Sequence, residues 1–242
     1  MGNFTFVIVS VLVIAALVAV SAVLEKRFSR DRKAFSGTHY ITYTAMFSCI
    51  AGVLMLVDFP LGFAPSFYKI DLSEMPVLIC TFYLGPVAGT MAELIKVLIK
   101  LLLKGTSTAF VGDFANFVVG CTFIIPASVI YHAHPGKKSA LIGMAVGTLV
   151  MTVFGSVFNA VYLIPKFAEL YGMPLEVIVG MGTKINGSIT SVATLAAYAV
   201  APFNIVKGTL VSALTFLLYK RISPLLHRGD ERLAKRSASK AS

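Results

Sequence analysis

Apolar positions in this chain do not alternate with polar ones in the way that marks a half-buried strand. They run on for about 18 residues or more before a polar stretch interrupts them. A helix of about 20 apolar residues crosses a hydrocarbon core of about 30 Å, so the runs predict membrane-spanning helices. The first covers Phe4 to Leu24. No basic residue precedes it and a basic cluster follows it, which reads as an uncleaved span with its N-terminus outside rather than a secretory signal. The second, Tyr40 to Val57, returns outward and ends at Asp58. From Pro60 to Ser73 come three aromatics, two prolines and a glycine. That stretch is too irregular for a helix and too apolar for a solvated loop, and it predicts an external lid. Glu74 starts a third span that Gly85 and Pro86 break after about 12 residues, so it is short. Val87 to Leu103 then runs outward, Val111 to Tyr131 inward and Ala140 to about Pro165 outward. Lys166 to about Thr190 forms an external segment, and Ser191 to Tyr219 comes back in. Seven spans put the N-terminus outside and the C-terminus inside. The expected class is an all-α integral membrane protein, with no repeat of fixed period and no inverted hydropathy symmetry of the kind that marks many secondary transporters.

Composition agrees with this pattern. The 242 residues are 57% hydrophobic and 13% charged, with a mean hydropathy of +0.85. Those values exclude a soluble enzyme, a nucleic-acid binder and a disordered scaffold. The net charge of +10 looks at first like an affinity for nucleic acid, but its distribution says otherwise. Three segments, Glu25 to His39, Tyr131 to Ala140 and Lys220 to the end, hold 14 of the 21 basic and four of the 11 acidic residues, and the rest of the chain sums to zero. The seven-span threading places all three on one side, as the positive-inside rule requires of the cytoplasmic face. The partner of that charge is the lipid bilayer, not nucleic acid.

Cys49, Cys80 and Cys121 fall in apolar runs without ligand spacing and read as small buried hydrophobes. His132 and His134 have no acid or cysteine companion, so no metal site is expected. No catalytic constellation can be assembled at one depth, which argues against an enzyme. Gly182 to Lys184 lacks the glycine spacing and the following hydroxyl of a phosphate loop, so uphill transport needs another chain or an ion gradient.

The ionisable and amide groups inside the spans carry the chemistry, because a charge at the bilayer centre costs about 2.5 to 3.5 kcal/mol. Glu93, Lys96 and Lys100 share one helical face. They form either a structural ion pair with Lys100 and Lys104 snorkelling outward, or the polar wall of a cavity. Gly112, Asn116 and Gly120 are spaced by four, and Gly143, Gly147, Gly155 and Asn159 repeat the device on the next span. Close helix packing accounts for the glycines but not for the amides. Asn204 and Lys207 are three apart on the last span, and Lys207 has no acid within a turn, so it needs a partner on another helix, a carbonyl or a ligand. Amides on three helices, one carboxylate and one or two amines under an aromatic lid suit a neutral, flat, mostly apolar solute.

Taken in order, Phe59 to Pro76 (FPLGFAPSFYKIDLSEMP), Leu84-Gly85-Pro86, Glu93 to Lys96 (ELIK), Gly112 to Gly120 (GDFANFVVG), Ile125 to Tyr131 (IPASVIY) and Pro202 to Gly208 (PFNIVKG) resemble the riboflavin-specific S components of energy-coupling factor (ECF) transporters, over about Tyr40 to Leu226. The resemblance implies a six-helix core that captures riboflavin from outside with high affinity. It also implies association with a transmembrane coupling subunit carrying two cytoplasmic ATPase subunits, and tilting in the cell membrane to release the vitamin. Riboflavin is then the transported ligand and not a cofactor. Matched residue by residue, Asn204, Lys207 and Asn159 fall on ligand-contacting helices, Asn116 and Glu93 on further motif positions, and Phe63, Ala64 and Phe67 on the lid. Phe4 to Leu24 is extra to that core. The chain divides into 1–38 (extra helix and basic cytoplasmic loop), 39–227 (riboflavin-binding membrane domain) and 228–242 (disordered basic cytoplasmic tail). Docking falls to small residues of the first core helix, Ala45 and Cys49 or Thr44, Ser48 and Gly52. The alternative function is an ion-coupled secondary transporter of a flavin or another vitamin.

Overall fold

A computed structural model describes residues 3–28, 37–65 and 67–219. The basic loop after the first span, Ser66 and the tail from Lys220 lie outside the described residues. Eight helices make up most of the described chain: α1 (Asn3–Phe28), α2 (Gly37–Leu54), α3 (Glu74–Leu84), α4 (Pro86–Lys104), α5 (Val111–Ala133), α6 (Lys137–Tyr171), α7 (Leu175–Thr183) and α8 (Val192–Tyr219). The β-structure among the described residues is one antiparallel pair of two-residue strands, β1 (Phe59–Pro60) and β2 (Lys69–Ile70). By length and composition, α1, α5, α6 and α8 each suffice to cross a membrane.

The break between α3 and α4 follows from two residues. Gly85 has φ 113°, in the region that favours glycine, and Pro86 needs no backbone donor at the first position of α4. The resulting 11-residue α3 matches the short third span. Pro165 is a different case: the sequence placed the end of a span there, yet α6 continues to Tyr171. A π turn over Asn159–Leu163 precedes this proline, and a second over Ala196–Val200 precedes Pro202 in α8. In an α-helix each proline ring would press on the carbonyl four residues back, Val161 or Tyr198. Both of those residues lie within the π turns, whose wider coil absorbs the conflict. The segment that the sequence places outside, Lys166 to about Thr190, is accordingly helical in large part, with α6 ending at Gly172 (φ 61°) and α7 following.

α5 and α6 approach most closely through glycine. A methyl group on Gly143 would sit 2.7 Å from the Ala127 carbonyl oxygen, and one on Gly147 would overlap that of Phe123. The main core gathers α2, α3, α4 and α5 around Phe47, Leu78, Phe82, Phe117 and Phe123, while Val157, Val161, Leu102 and Leu217 point outward. Cys80 and Cys121 are buried as expected, but Cys49 faces out of the bundle. In lipid an outward position needs no polar residue, so nothing in the apolar run marked it.

One end of the bundle collects the C-termini of α1, α5 and α8 with the α3–α4 turn. There Glu25 accepts from the Val87 N–H (2.9 Å), His132 meets the Thr81 carbonyl (3.0 Å) and the Tyr131 and Tyr219 hydroxyls bond at 2.7 Å. The opposite end carries the β1–β2 segment and the start of α5.

Candidate functional site

At that opposite end, two π turns face each other across α6 and α8. Asn159 opens the first, and Asn204 lies one turn beyond the second. Asn159 is buried and its Nδ2 donates to the Gly155 carbonyl (2.7 Å). The glycine at 155 also admits Asn204, whose Nδ2 would be 2.7 Å from any methyl group there. α5 begins after a tight loop in which Ala109 and Phe110 both adopt left-handed backbone. Thr106 Oγ1 secures that loop, accepting from the Phe110 N–H (2.9 Å) and donating to Asp113 Oδ2 (2.6 Å), while Lys100 holds Asp113 Oδ1 at 2.5 Å. The loop sets Thr108, Gly112 and Asn116 at the edge of a cavity of about 180 Å³.

Phe67, Tyr68 and Lys69 of the β1–β2 segment cover this cavity. Glu74, Asn116, Asn159, Asn204 and Lys207 line it, with Leu163, Phe167 and Phe203 as apolar walls. Tyr68 donates to Asn159 Oδ1 (2.8 Å) and its ring meets Phe203 with centroids 5.6 Å apart. Of the buried side-chain polar atoms that lack a hydrogen-bond partner among the described residues, two belong to the cavity lining, Asn116 Oδ1 and Asn204 Nδ2. Such atoms normally cost about 1 to 3 kcal/mol each, and both belong to residues lining the same cavity, as expected of groups kept for a ligand.

The electrostatics rest on a buried alternating chain. Lys207 Nζ lies 2.9 Å from Glu74 Oε1 and 3.4 Å from Asp71 Oδ2, Lys96 lies 3.2 Å from Glu74 Oε1, and Lys96 reaches Glu93 Oε1 at 2.6 Å. Three carboxylates and two amines thus connect the lid, α3, α4 and α8. Outside this chain, Asp58 at the base of the lid takes both Lys104 (3.1 Å) and Lys69 (3.5 Å). Partial burial works to raise the Asp58 pKa, but the hydrogen bonds and charges of Lys104 and Lys69 outweigh it and hold the carboxyl below its ordinary value.

Of the residues singled out in sequence, Asn116, Asn159, Asn204, Lys207 and Phe67 meet at the cavity. Glu93 is fully buried behind it, paired with Lys96, and fills the space that Gly120 leaves open. Ala64 packs under the lid with Ile70 and Phe203, and Phe63 points outward. Lys100 does not snorkel, because Asp113 and the Gly105 carbonyl (2.9 Å) hold it, whereas Lys104 does reach outward. Tyr68, Asp71, Glu74 and Thr108 were missed. The unpaired Lys207 was the signal for two of them, since a buried ammonium calls for acids at its own depth.

A larger groove of about 990 Å³ opens sideways between α1, α4, α5 and the end of α6. Its walls are mostly apolar, and its charged groups are already satisfied, Asp113 by Lys100 and Lys166 by Glu169 (2.6 Å). The smaller cavity is the candidate site, because hydrogen-bonding groups from several elements converge there.

Comparison with known proteins shows the family. Riboflavin transporter RibU of Staphylococcus aureus (strain TCH60) is 36% identical over 184 residues, covering 76% of this chain and 90% of that protein. Riboflavin transporter FmnP of Bacillus subtilis (strain 168) is 29% identical over 189 residues, covering 78% and 94%. A solved structure described as "Structure and mechanism of the S component of a bacterial ECF transporter" superposes with a TM-score of 0.62 at 34% identity, covering 79% of this chain and 99% of that one. The family described as "ECF transporter, substrate-specific component" matches residues 39–219, three-quarters of the chain, and leaves α1 outside the match. The chain belongs to the substrate-specific components of ECF transporters.

Proposed function

We propose that this protein is the riboflavin-binding membrane subunit of an ECF-type uptake transporter. On this reading it captures the vitamin outside and releases it inside once a transmembrane coupling subunit with two ATPases engages it. The observation that carries the reading is the pair of unpartnered amide atoms, Asn116 Oδ1 and Asn204 Nδ2, in a cavity that also holds Lys207 and is walled by Phe67, Tyr68, Phe167 and Phe203. One acceptor, one donor and an ammonium between aromatic faces complement a flat ring system with hydrogen-bonding edges and no charge. The cavity of about 180 Å³ is below the about 300 to 1,000 Å³ usual for ligand sites, so admission requires the lid residues Phe67 and Tyr68 to withdraw.

Orientation follows from charge. Lys26 and Arg27 at the end of α1 and Lys137 and Lys138 at the start of α6 sit at the end opposite the lid, which becomes the cytoplasmic face. Residues 39–227 form the binding domain, α1 is an addition to it, and the segment after residue 228 is a cytoplasmic tail. No step of this role asks the chain to catalyse a reaction. The direct test is an absorbance spectrum of the detergent-purified protein, which should show bound flavin and, once stripped, quench added riboflavin fluorescence stoichiometrically. Uptake by vesicles holding this chain alone, driven by an ion gradient, would overturn the coupling to an ATPase module.

A further inference from the structure

Lys207 is oddly placed for a ligand donor. Its four-carbon stem is flexible, and a loose ammonium would sample many directions before meeting a ligand. Here the stem is buried and two carboxylates from two different elements grip the ammonium: Glu74 at the start of α3 (2.9 Å) and Asp71 just after β2 (3.4 Å). An ammonium has three donors, so two held this way leave one for the cavity that Lys207 lines. The two grips differ in what anchors them. Lys96 fixes Glu74 from behind (3.2 Å), in the packed interior between α3 and α4. Asp71 belongs to the covering segment, where its Oδ1 accepts from the Ser73 N–H (2.9 Å) and neighbouring Ile70 packs against Ala64 and Phe203.

We propose that Asp71 and Glu74 are positioning residues of the ligand site, aiming the Lys207 ammonium between them, and that Asp71 makes this aim conditional on lid closure. When the segment lifts to admit a solute, Asp71 leaves with it and Lys207 is held by Glu74 alone. When the segment returns, the same movement covers the solute and completes the hold on its donor. Closure and hydrogen bonding are one event, so loss of Asp71 shows chiefly as faster release.

The inference rests on the riboflavin reading, and one set of titrations separates the two. The full-length protein and its Asp71→Asn, Lys207→Met and doubly substituted forms are titrated with riboflavin by fluorescence quenching, with dissociation followed by stopped flow. Asparagine keeps the acceptor for the Ser73 N–H and removes only the charge. The expected result is about a tenfold faster dissociation for Asp71→Asn, the size of one charge-assisted hydrogen bond, and no further weakening when Asp71→Asn is added to Lys207→Met. Equal weakening in both backgrounds, or none in the first, overturns the positioning role while leaving the riboflavin reading intact. A wild-type protein that does not quench riboflavin overturns both. Should Lys207→Met fail to fold, Asp71→Glu decides: a restored carboxylate returns dissociation to near the wild-type rate, and release as fast as that of Asp71→Asn overturns the inference.

Discussion

α1 and α4 lie side by side and obey opposite rules. α1 is the more apolar of the two, carries no ionisable residue until Glu25, and among its described side chains fully buries only Ser21. α4 carries Glu93, Lys96, Lys100 and Lys104, and buries the first two completely. In a water-soluble protein the assignment would be reversed. Here the surroundings are hydrocarbon, so an apolar face gains nothing by moving inside, and a charged face has nowhere else to go. Charge inside a span therefore marks the interior of this molecule, whereas hydrophobicity by itself does not tell the core from the outer face.

The largest effect should come from breaking α4. Lys96→Met leaves Glu93 without its amine and removes one of the two that hold Glu74. Removing one partner of a buried pair costs about 3 to 5 kcal/mol, so the variant should lose most of its folded, monodisperse fraction in detergent. Leu12→Ala on the exposed side of α1 should leave the melting temperature nearly unchanged. A Lys96→Met protein as stable as wild type would mean that the buried chain is not the framework of the site.

Next in size is Lys207→Met, which removes the donor aimed at the cavity. The ligand then loses a buried hydrogen bond worth about 1 to 3 kcal/mol, and riboflavin affinity should fall roughly 5- to 150-fold. A lysine that serves only Glu74 and Asp71 would give a lower melting temperature and unchanged affinity in the surviving protein. Quenching titrations run beside a thermal melt distinguish these outcomes.

The same contrast governs what could be read from sequence. α4 and α5 were legible almost to the residue, Val87 to Leu103 against Pro86–Lys104 and Val111 to Tyr131 against Val111–Ala133, because charged or broken stretches bound them. The amides Asn116, Asn159 and Asn204 were legible because a polar group inside a span needs a reason. The partners of Lys207 were not, since Asp71 lies 136 residues away and only the fold sets it at the same depth. The continuation of α6 past Pro165 was hidden too, because a π turn that accommodates a proline leaves no mark in hydrophobic spacing. Cys49 failed for the reason that governs α1: among apolar residues, sequence does not say which face lipid.

A smaller effect belongs to the base of the lid. The Asp58 pKa is lowered below its ordinary 3.8, so the stability it lends is present above that value and lost only as pH falls through the lower, folded-state value. With Lys69 and Lys104 both well exposed, the cluster is worth less than about 1 kcal/mol. Hydrogen exchange of residues 58–70 should be flat from neutral pH down to about pH 4, after correction for intrinsic rates, and rise only below it. A rise near pH 6 would assign lid closure to another group.

Smallest of all on binding should be the loss of α1 itself. Its contacts with α5 run through Phe6 and Phe114, whose ring centroids are 5.9 Å apart, whereas Asn116 two residues on lines the cavity. Two residues of α-helix turn through about 200°, so those side chains leave α5 on nearly opposite faces. Two hydrogen bonds tie α1 to α4, the Ser21–Thr90 hydroxyl pair (2.7 Å) and the Val87 N–H to Glu25 (2.9 Å); removing residues 1–24 takes Ser21, and Thr90 then keeps its own bond to the Pro86 carbonyl (2.9 Å). Deleting residues 1–24 should thus cost stability, with about 0.5 to 1.5 kcal/mol from the Ser21 hydrogen bond alone, and change riboflavin affinity by less than about twofold. The check is a titration of correctly inserted truncated protein beside its melting curve. Lost binding in a folded truncation would mean that the most lipid-exposed helix shapes the site after all, and that outward position and functional irrelevance do not go together in this molecule.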